Sequence, residues 1–403
     1  MSCASVEGKQ ICAMREPDPA QQTALAEHRT RMYAHLAACA RTRAYESSAE
    51  ADAGRLRLPF VDFMNAALYA PGLGYYTGTL PKLGAQADFV TAPELTPLFG
   101  RTLVRGLEPL RARAVLELGA GSGALAEAML EACPGLDYRI LEVSASLEAR
   151  QRRRLHGRGV RWLRALPQRI EGVLLANELL DALPCELLRY RHGRYERAFV
   201  VLEDGVQCYG LEWERLEEET PLAHLARERV PAIEGYTSEL NLHAEALVRT
   251  VAERLHEGVA VFIDYGFPRR EYYLPERSMG TLACHRAQRV HFDPLAAPGL
   301  EDLTAHVDFT AMAEAAVEGG CRILCYAPQG LLLLAFGLVS VLEEALERAG
   351  SDARARAQAL AAVQRLTAPS EMGELYKVLI IGRGAAAERF AEALASIDQS
   401  FRL

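Results

Sequence analysis

Apolar and polar positions change period repeatedly from Arg113 onward. AVLELG, YRILEVS, VRWL, GVLLAN and GVAVFIDYGF are short apolar runs. They are separated by stretches of helical period, ALAEAMLEA, SLEARQRRRL and LNLHAEALVRTVAERL. Strands alternating with helices at this spacing predict a mainly parallel sheet covered on both faces. CRILCYAPQG and LYKVLIIGRG read as two further strands. The expected class is therefore α/β, a Rossmann-like fold.

Two segments break the rhythm. Residues 185–238 alternate apolar and polar around Gly193 and Asp204-Gly205, the pattern of hairpins. They are expected to form an inserted β-rich subdomain. Residues 268–309 show little periodicity and many polar side chains, so a long functional loop is expected there. Upstream, residues 1–20 read as a loose tail, 21–44 as an amphipathic helix and Tyr45 to Gly54 as a polar link. A helix is expected across Leu98 to Pro109. The organisation expected is an N-terminal tail and helix over 1–55, and one large domain from 56–184 and 239–403. The inserted unit, 185–238, interrupts that domain.

Composition narrows the function classes. A net charge of −8 argues against a general nucleic-acid binder and suits a Lys- or Arg-rich protein partner. Nine scattered cysteines without a CxxC suggest reduced thiols and no metal site, hence the cytoplasm. The first residues carry Glu7, Glu16 and Asp18 and no apolar core, unlike a secretory signal or an acid-poor transit peptide. The longest apolar run, Leu331 to Leu342, falls short of the roughly 18–20 residues that cross a bilayer, and reads as a buried core helix.

The candidate chemistry starts at LELGAGSGAL. Gly119-x-Gly121-x-x-Ala124 fits a dinucleotide fingerprint, and Gly119-x-Gly121-x-Gly123 fits an S-adenosylmethionine loop. Either way Gly119, Ala120, Gly121, Ser122 and Gly123 bring backbone close to a ligand at a helix N-terminus. Glu117, two residues earlier, repels a pyrophosphate but suits an α-ammonium group, which favours the methyl donor. Glu142, followed by Val143, ends the next strand and can accept from two ribose hydroxyls under both readings.

ANELLDALP follows the fourth strand, at the edge where open α/β sheets place ligands. Asn177 reads either as a cap for a short helix from Glu178 or as a site residue. Glu178 and Asp181 are carboxylates able to hold a guanidinium and orient an acceptor nitrogen. IDYGF sends Asp264 and Tyr265 to the same crevice. DLTAHVDF places His306 in the long loop, either as a structural donor or as a group of the site.

With these motifs in hand, the chain resembles the MidA-type methyltransferases, from about Phe60 to Gly382. FMNAALYAPGLGYY, DFVTAPELTPLFG, LELGAGSGAL, LEVSASLEARQ, ANELLDALP, IDYG, GTLACH, DLTAHVDF and MGELYKVL carry the resemblance in that order. It implies a class I fold that binds S-adenosylmethionine and methylates a protein arginine, with symmetric dimethylation. The family's mitochondrial member serves respiratory complex I assembly, so a respiratory subunit is an implied partner. The resemblance also implies a lid over the donor from Asp88 to Glu94, including Thr91, and Tyr75 and Tyr76 beside Asp264 and Tyr265 on the acceptor side. The chain departs from the family at Ala87, usually Gly, and at Leu180, usually aromatic. A non-catalytic donor-binding scaffold and a nicotinamide-dependent oxidoreductase stand as competing classes. No nucleic acid and no membrane span are expected, and a homodimer is left open.

Overall fold

A computed structural model describes residues 19–42, 56–78, 91–203, 208–286 and 288–403. Its central sheet contains β1 (Ala114–Leu118), β2 (Asp137–Leu141), β3 (Arg161–Leu163), β4 (Ile170–Asn177), β5 (Leu255–Phe267), β6 (Arg322–Pro328) and β7 (Tyr376–Arg383). The order across the sheet is β6-β7-β5-β4-β1-β2-β3, with Val307–Asp308 added beside the end of β5. Strands β1 to β5 are mutually parallel, and β7 runs antiparallel to both β5 and β6.

Alternation along the strands feeds two cores. Val115, Val173, Leu175, Val259, Val261 and Ile263 face one side, while Leu116, Leu174, Ala176, Ala260 and Phe262 face the other. That period of two, with both faces apolar, makes these strands near-continuous apolar runs. Helices Leu98–Leu107 and Ala124–Ala132 cover the first face, and Leu242–Arg254 and Phe309–Glu318 the second.

The hairpin segment forms a five-stranded antiparallel sheet. Glu186–Arg191, Arg194–Glu203 and Cys208–Arg215 are joined by Thr237–Leu240 and by Leu56–Pro59, which pairs with Arg194–Glu203 at an edge. Helix Pro19–Thr42 packs on this side of the molecule through Met32, Leu36 and Ala37, against Phe60, Phe63 and Met64.

Two expectations need correction. Residues 268–309 are not a structureless loop: Ala283–Arg286, Arg289–His291 and Asp302–Thr304 form a small antiparallel sheet. Strands of three or four residues are too short to show a period. Leu331 to Leu342 is not one helix either. Gly337, at φ 85°, separates Gln329–Ala335 from Leu338–Ala349, and the two axes bend by 70°. An L side chain resists that φ, so the glycine sets the break. Among the described residues no single helix is long and apolar enough to cross a membrane.

Candidate functional site

Register brings the motifs to one edge. Leu118 of β1 pairs with Leu141 of β2 and Ala176 of β4, and Asn177 pairs with Ile263 of β5. The chain therefore leaves the sheet at Gly119, Glu142 and Glu178 on the same side, where Asp264 lies next along β5 after the Ile263 that pairs with Asn177. Between β1 and β4 the strand order reverses, the point where such sheets open a crevice.

The glycine loop has the required backbone. Gly119, Gly121 and Gly123 all have positive φ, at 63°, 52° and 84°. A Cβ on Gly119 would sit 2.8 Å from Leu179 Cδ1, so the loop passes close to the turn after β4. Glu117 is buried beneath it and accepts from Tyr138 Oη at 2.8 Å. Burial pushes its carboxyl up to about 7, against the pull of that hydrogen bond.

Glu142 is buried at the end of β2. It accepts from the Ser144 amide and from Gln151 Nε2, each at 2.9 Å. Burial raises its pKa and these donors oppose the rise. Gln151 Nε2 also reaches Gly121 O at 2.9 Å, and Trp162 Nε1 donates to Gln151 Oε1. One amide thus ties the glycine loop to the acid. Val143 beside it is 71% exposed. Ser122 and Arg154 both hydrogen-bond Glu94, joining the short helix Ala92–Leu95 to the glycine loop. Thr91 precedes that helix without capping it through its side chain. Asp88 lies outside the described residues.

The turn after β4 is held from below. Asp264 is fully buried, and its Oδ2 accepts from the amides of Leu179, Leu180 and Asp181 at 3.1, 2.8 and 3.3 Å. Its Oδ1 accepts from the Tyr265 amide at 2.9 Å. Asp264 is therefore an anchor for the turn rather than a group that touches substrate. Burial raises its pKa and the four N–H donors oppose the rise. Asn177 caps no helix. Glu178 follows it at φ 51°, and Asn177 Nδ2 donates to Glu178 Oε1 at 3.0 Å.

Among the described residues, Glu178 and Asp181 form no ion pair. Glu178 Oε2 accepts from Tyr376 Oη at 3.1 Å and Tyr265 Oη at 3.4 Å. Burial, then the charge of Asp264, pushes its carboxyl up to about 8. Asp181 is 4% exposed and its Oδ1 has no hydrogen-bond partner. Burial, then Asp264, Asp302 and Glu178, raises its pKa well above the usual range. Burial and mutual repulsion therefore favour the protonated forms of these carboxyls when nothing cationic lies against them.

The outer wall is aromatic. Tyr76 Oη donates to Asp302 at 2.8 Å, and its carbonyl accepts from Ser144 Oγ. Tyr69 Oη donates to Ala182 O at 3.0 Å, with its ring stacked on Tyr76. Tyr75, expected on the acceptor side, is instead packed in the core beside the second sheet. The His306 ring stacks on Tyr265 at 6.2 Å. Burial, then Arg277 and His285, brings its pKa down to about 4, so it is neutral at ordinary pH. Gln151, Asp302 and Tyr376 were missed as site residues although each lies in a quoted motif. Spacing along the chain does not reveal which side chains meet across the sheet.

Comparison with known proteins agrees with this geometry. The sequence model of a family of S-adenosyl-L-methionine-dependent methyltransferases matches residues 98–327. A crystal structure of a superfamily member from Burkholderia thailandensis bound to S-adenosyl-homocysteine is 39% identical. It covers 97% of this chain and 100% of that one, with a TM-score of 0.85. The mitochondrial "protein arginine methyltransferase NDUFAF7 homolog" of Drosophila melanogaster is 27% identical over 373 residues, 82% of either chain. Its Danio rerio counterpart is 26% identical, over 78% of this chain and 81% of its own. These relatives are named as mitochondrial proteins, which overturns the cytoplasmic expectation drawn from cysteine usage and the acidic N-terminus.

Proposed function

The chain belongs to this family of S-adenosyl-L-methionine-dependent methyltransferases, and we propose that its acceptor is an arginine of a protein. The observation that carries the reading is Asp181, a buried carboxylate with an unpartnered oxygen beside Glu178 at the sheet's reversal point. A guanidinium offers planar, paired donors to two such carboxylates. The names of the Drosophila and zebrafish relatives support the same acceptor.

S-adenosylmethionine, when bound, supplies a methyl group made electrophilic by its sulfonium. The fit of this group to the residues rests on three features: the positive-φ glycine turn Gly119–Gly123 at a helix N-terminus, the acid Glu142 and the exposed Val143 next to it. In this reading Glu117 pairs with the donor's ammonium, Glu142 accepts from the ribose hydroxyls, and Val143 covers an apolar ring. Ala120, Gly121, Ser122, Gly123 and Asn177 line the same edge. Thr91 and Glu94 close over it.

Glu178 and Asp181 hold the guanidinium in one plane so that one nitrogen faces the methyl. Alignment is the main contribution, because the reacting atoms need little acid–base help. The product loses one proton, which Glu178 takes only in its ionised form, a form that burial and Asp264 oppose and a bound guanidinium favours. Tyr265 and neutral His306 form an uncharged wall beside the acceptor.

The test is isotope-labelled S-adenosylmethionine, the purified protein and an extract of cells lacking it, followed by digestion and mass spectrometry. Label on arginine of a discrete protein is the expected result. Label confined to another residue type or to a small molecule would overturn the acceptor assignment.

A further inference from the structure

Glu178 does not hold its own conformation. It is a five-atom side chain on a residue at φ 51°, in a turn that no helix continues. Its orientation must come from neighbours. Asn177 fixes Oε1 at 3.0 Å, the Ala92 amide also donates to the carboxylate, and two phenols approach Oε2.

Those phenols arrive from different strands. Tyr265 lies on β5 and Tyr376 on β7, and the antiparallel register pairs the two residues directly. Their ring centroids are 4.2 Å apart, and their oxygens are hydrogen-bonded to each other. Tyr376 is 2% exposed, so its ring has no room to turn away. Each phenol carries one hydrogen. If Tyr265 donates to Tyr376, then Tyr376 donates to Glu178. In the reverse case Tyr265 is the donor to Glu178. Either way one hydrogen reaches Glu178 Oε2 and the other links the phenols, a chain in which each bond polarises the next. Burial keeps both phenols protonated well above the usual range, so both remain donors at any working pH.

We propose that Tyr376 is a positioning residue for methyl transfer: with Tyr265 it forms a redundant donor pair that holds the Glu178 carboxylate toward the acceptor nitrogen. Tyr376 acts through Glu178 and contacts no reacting atom. The pair also favours the ionised carboxylate, which the buried surroundings otherwise oppose. The role of Glu178 rests on the arginine reading above, but the placement of Glu178 by the two phenols does not.

Redundancy makes a distinctive prediction. In Tyr376→Phe the Tyr265 hydroxyl still donates to Glu178, and in Tyr265→Phe the Tyr376 hydroxyl does. Each single variant should lower kcat by about threefold, and the double variant by about thirtyfold, more than the product of the two. The limb of the pH profile that requires ionised Glu178 should move up by about one unit in the double variant. S-adenosylhomocysteine affinity should be unchanged throughout, because neither phenol touches the glycine loop.

A readout independent of the acceptor separates this proposal from the arginine reading. Infrared difference titration of the protein follows the protonated carboxyl band, and Glu178→Gln identifies the Glu178 component by removing it. The band's midpoint should rise in the double variant and by less in each single one. If that shift appears while label reaches no arginine, the arginine reading fails and the positioning stands. If the midpoint and the pH profile of the double variant match those of the unsubstituted protein, the positioning proposal fails.

Discussion

Replacing Glu117 by Gln should make the ligand-free protein more stable at high pH while weakening its hold on the methyl donor. Glu117 is 3% exposed, and burial lifts its carboxyl from 4.5 to about 7. The folded state therefore binds a proton that the unfolded state has released between those two values. Stability contributed by this group is complete below about pH 4.5 and is lost as pH rises to about 7. A shift of that size corresponds to about 3 kcal/mol. Gln keeps the acceptor for Tyr138 and never ionises, so it escapes the loss. For a chain of this length about 3 kcal/mol is worth about 3–4 °C in melting temperature. Scanning calorimetry should find the two proteins nearly alike at about pH 4 and the variant more stable at about pH 8. Titration calorimetry with S-adenosylhomocysteine, which carries the same ammonium, should show affinity weakened by about thirtyfold at pH 8. Melting curves that stay parallel across pH would refute the burial argument. Unchanged affinity would refute the assignment of Glu117 to the ammonium.

Three further outcomes follow from the same contacts. Gln151→Leu removes donors to both Gly121 O and Glu142, and should weaken S-adenosylhomocysteine binding by about tenfold in titration calorimetry. Gly119→Ala combines a φ of 63° with a Cβ 2.8 Å from Leu179, and should cost about 1–3 kcal/mol in chemical denaturation as well as donor affinity. Asp264→Ala strips the acceptor from four backbone amides and should destabilise by about 3–5 kcal/mol, with Asp264→Asn intermediate. Asp264→Asn should also lose methyl transfer out of proportion to donor affinity, because the turn carrying Glu178 and Asp181 loosens.

The central sheet was legible because its inner parallel strands, β1, β4 and β5, are near-continuous apolar runs and the helices between them keep a 3.6 period. The glycine loop was legible because three positive-φ positions admit few residues other than glycine. Long-range pairing was not. Nothing in LRLP indicates that residues 56–59 close the edge of a sheet formed some 140 residues later. Within the site, the roles of Glu117, Glu142, Glu178 and Asp181 were proposed from their positions at strand ends, and the structure brings all four to one crevice edge. Asp264 and Tyr75 differ for a common reason. Strand-end position says that a side chain starts near the crevice, not whether backbone amides or a core will take it. Gln151 and Tyr376 entered through contacts between separate elements, helix to loop and β7 to turn, which a linear pattern does not encode.

The most direct test of the account is Asp181→Asn, measured for methyl transfer to the labelled acceptor and for donor affinity in the same preparation. Transfer should fall by at least about a hundredfold, through loss of a buried charge paired to the guanidinium. S-adenosylhomocysteine affinity and fold should be retained. Transfer at the unsubstituted rate, with the same arginine labelled, would contradict the claim that this unpaired carboxylate holds the acceptor.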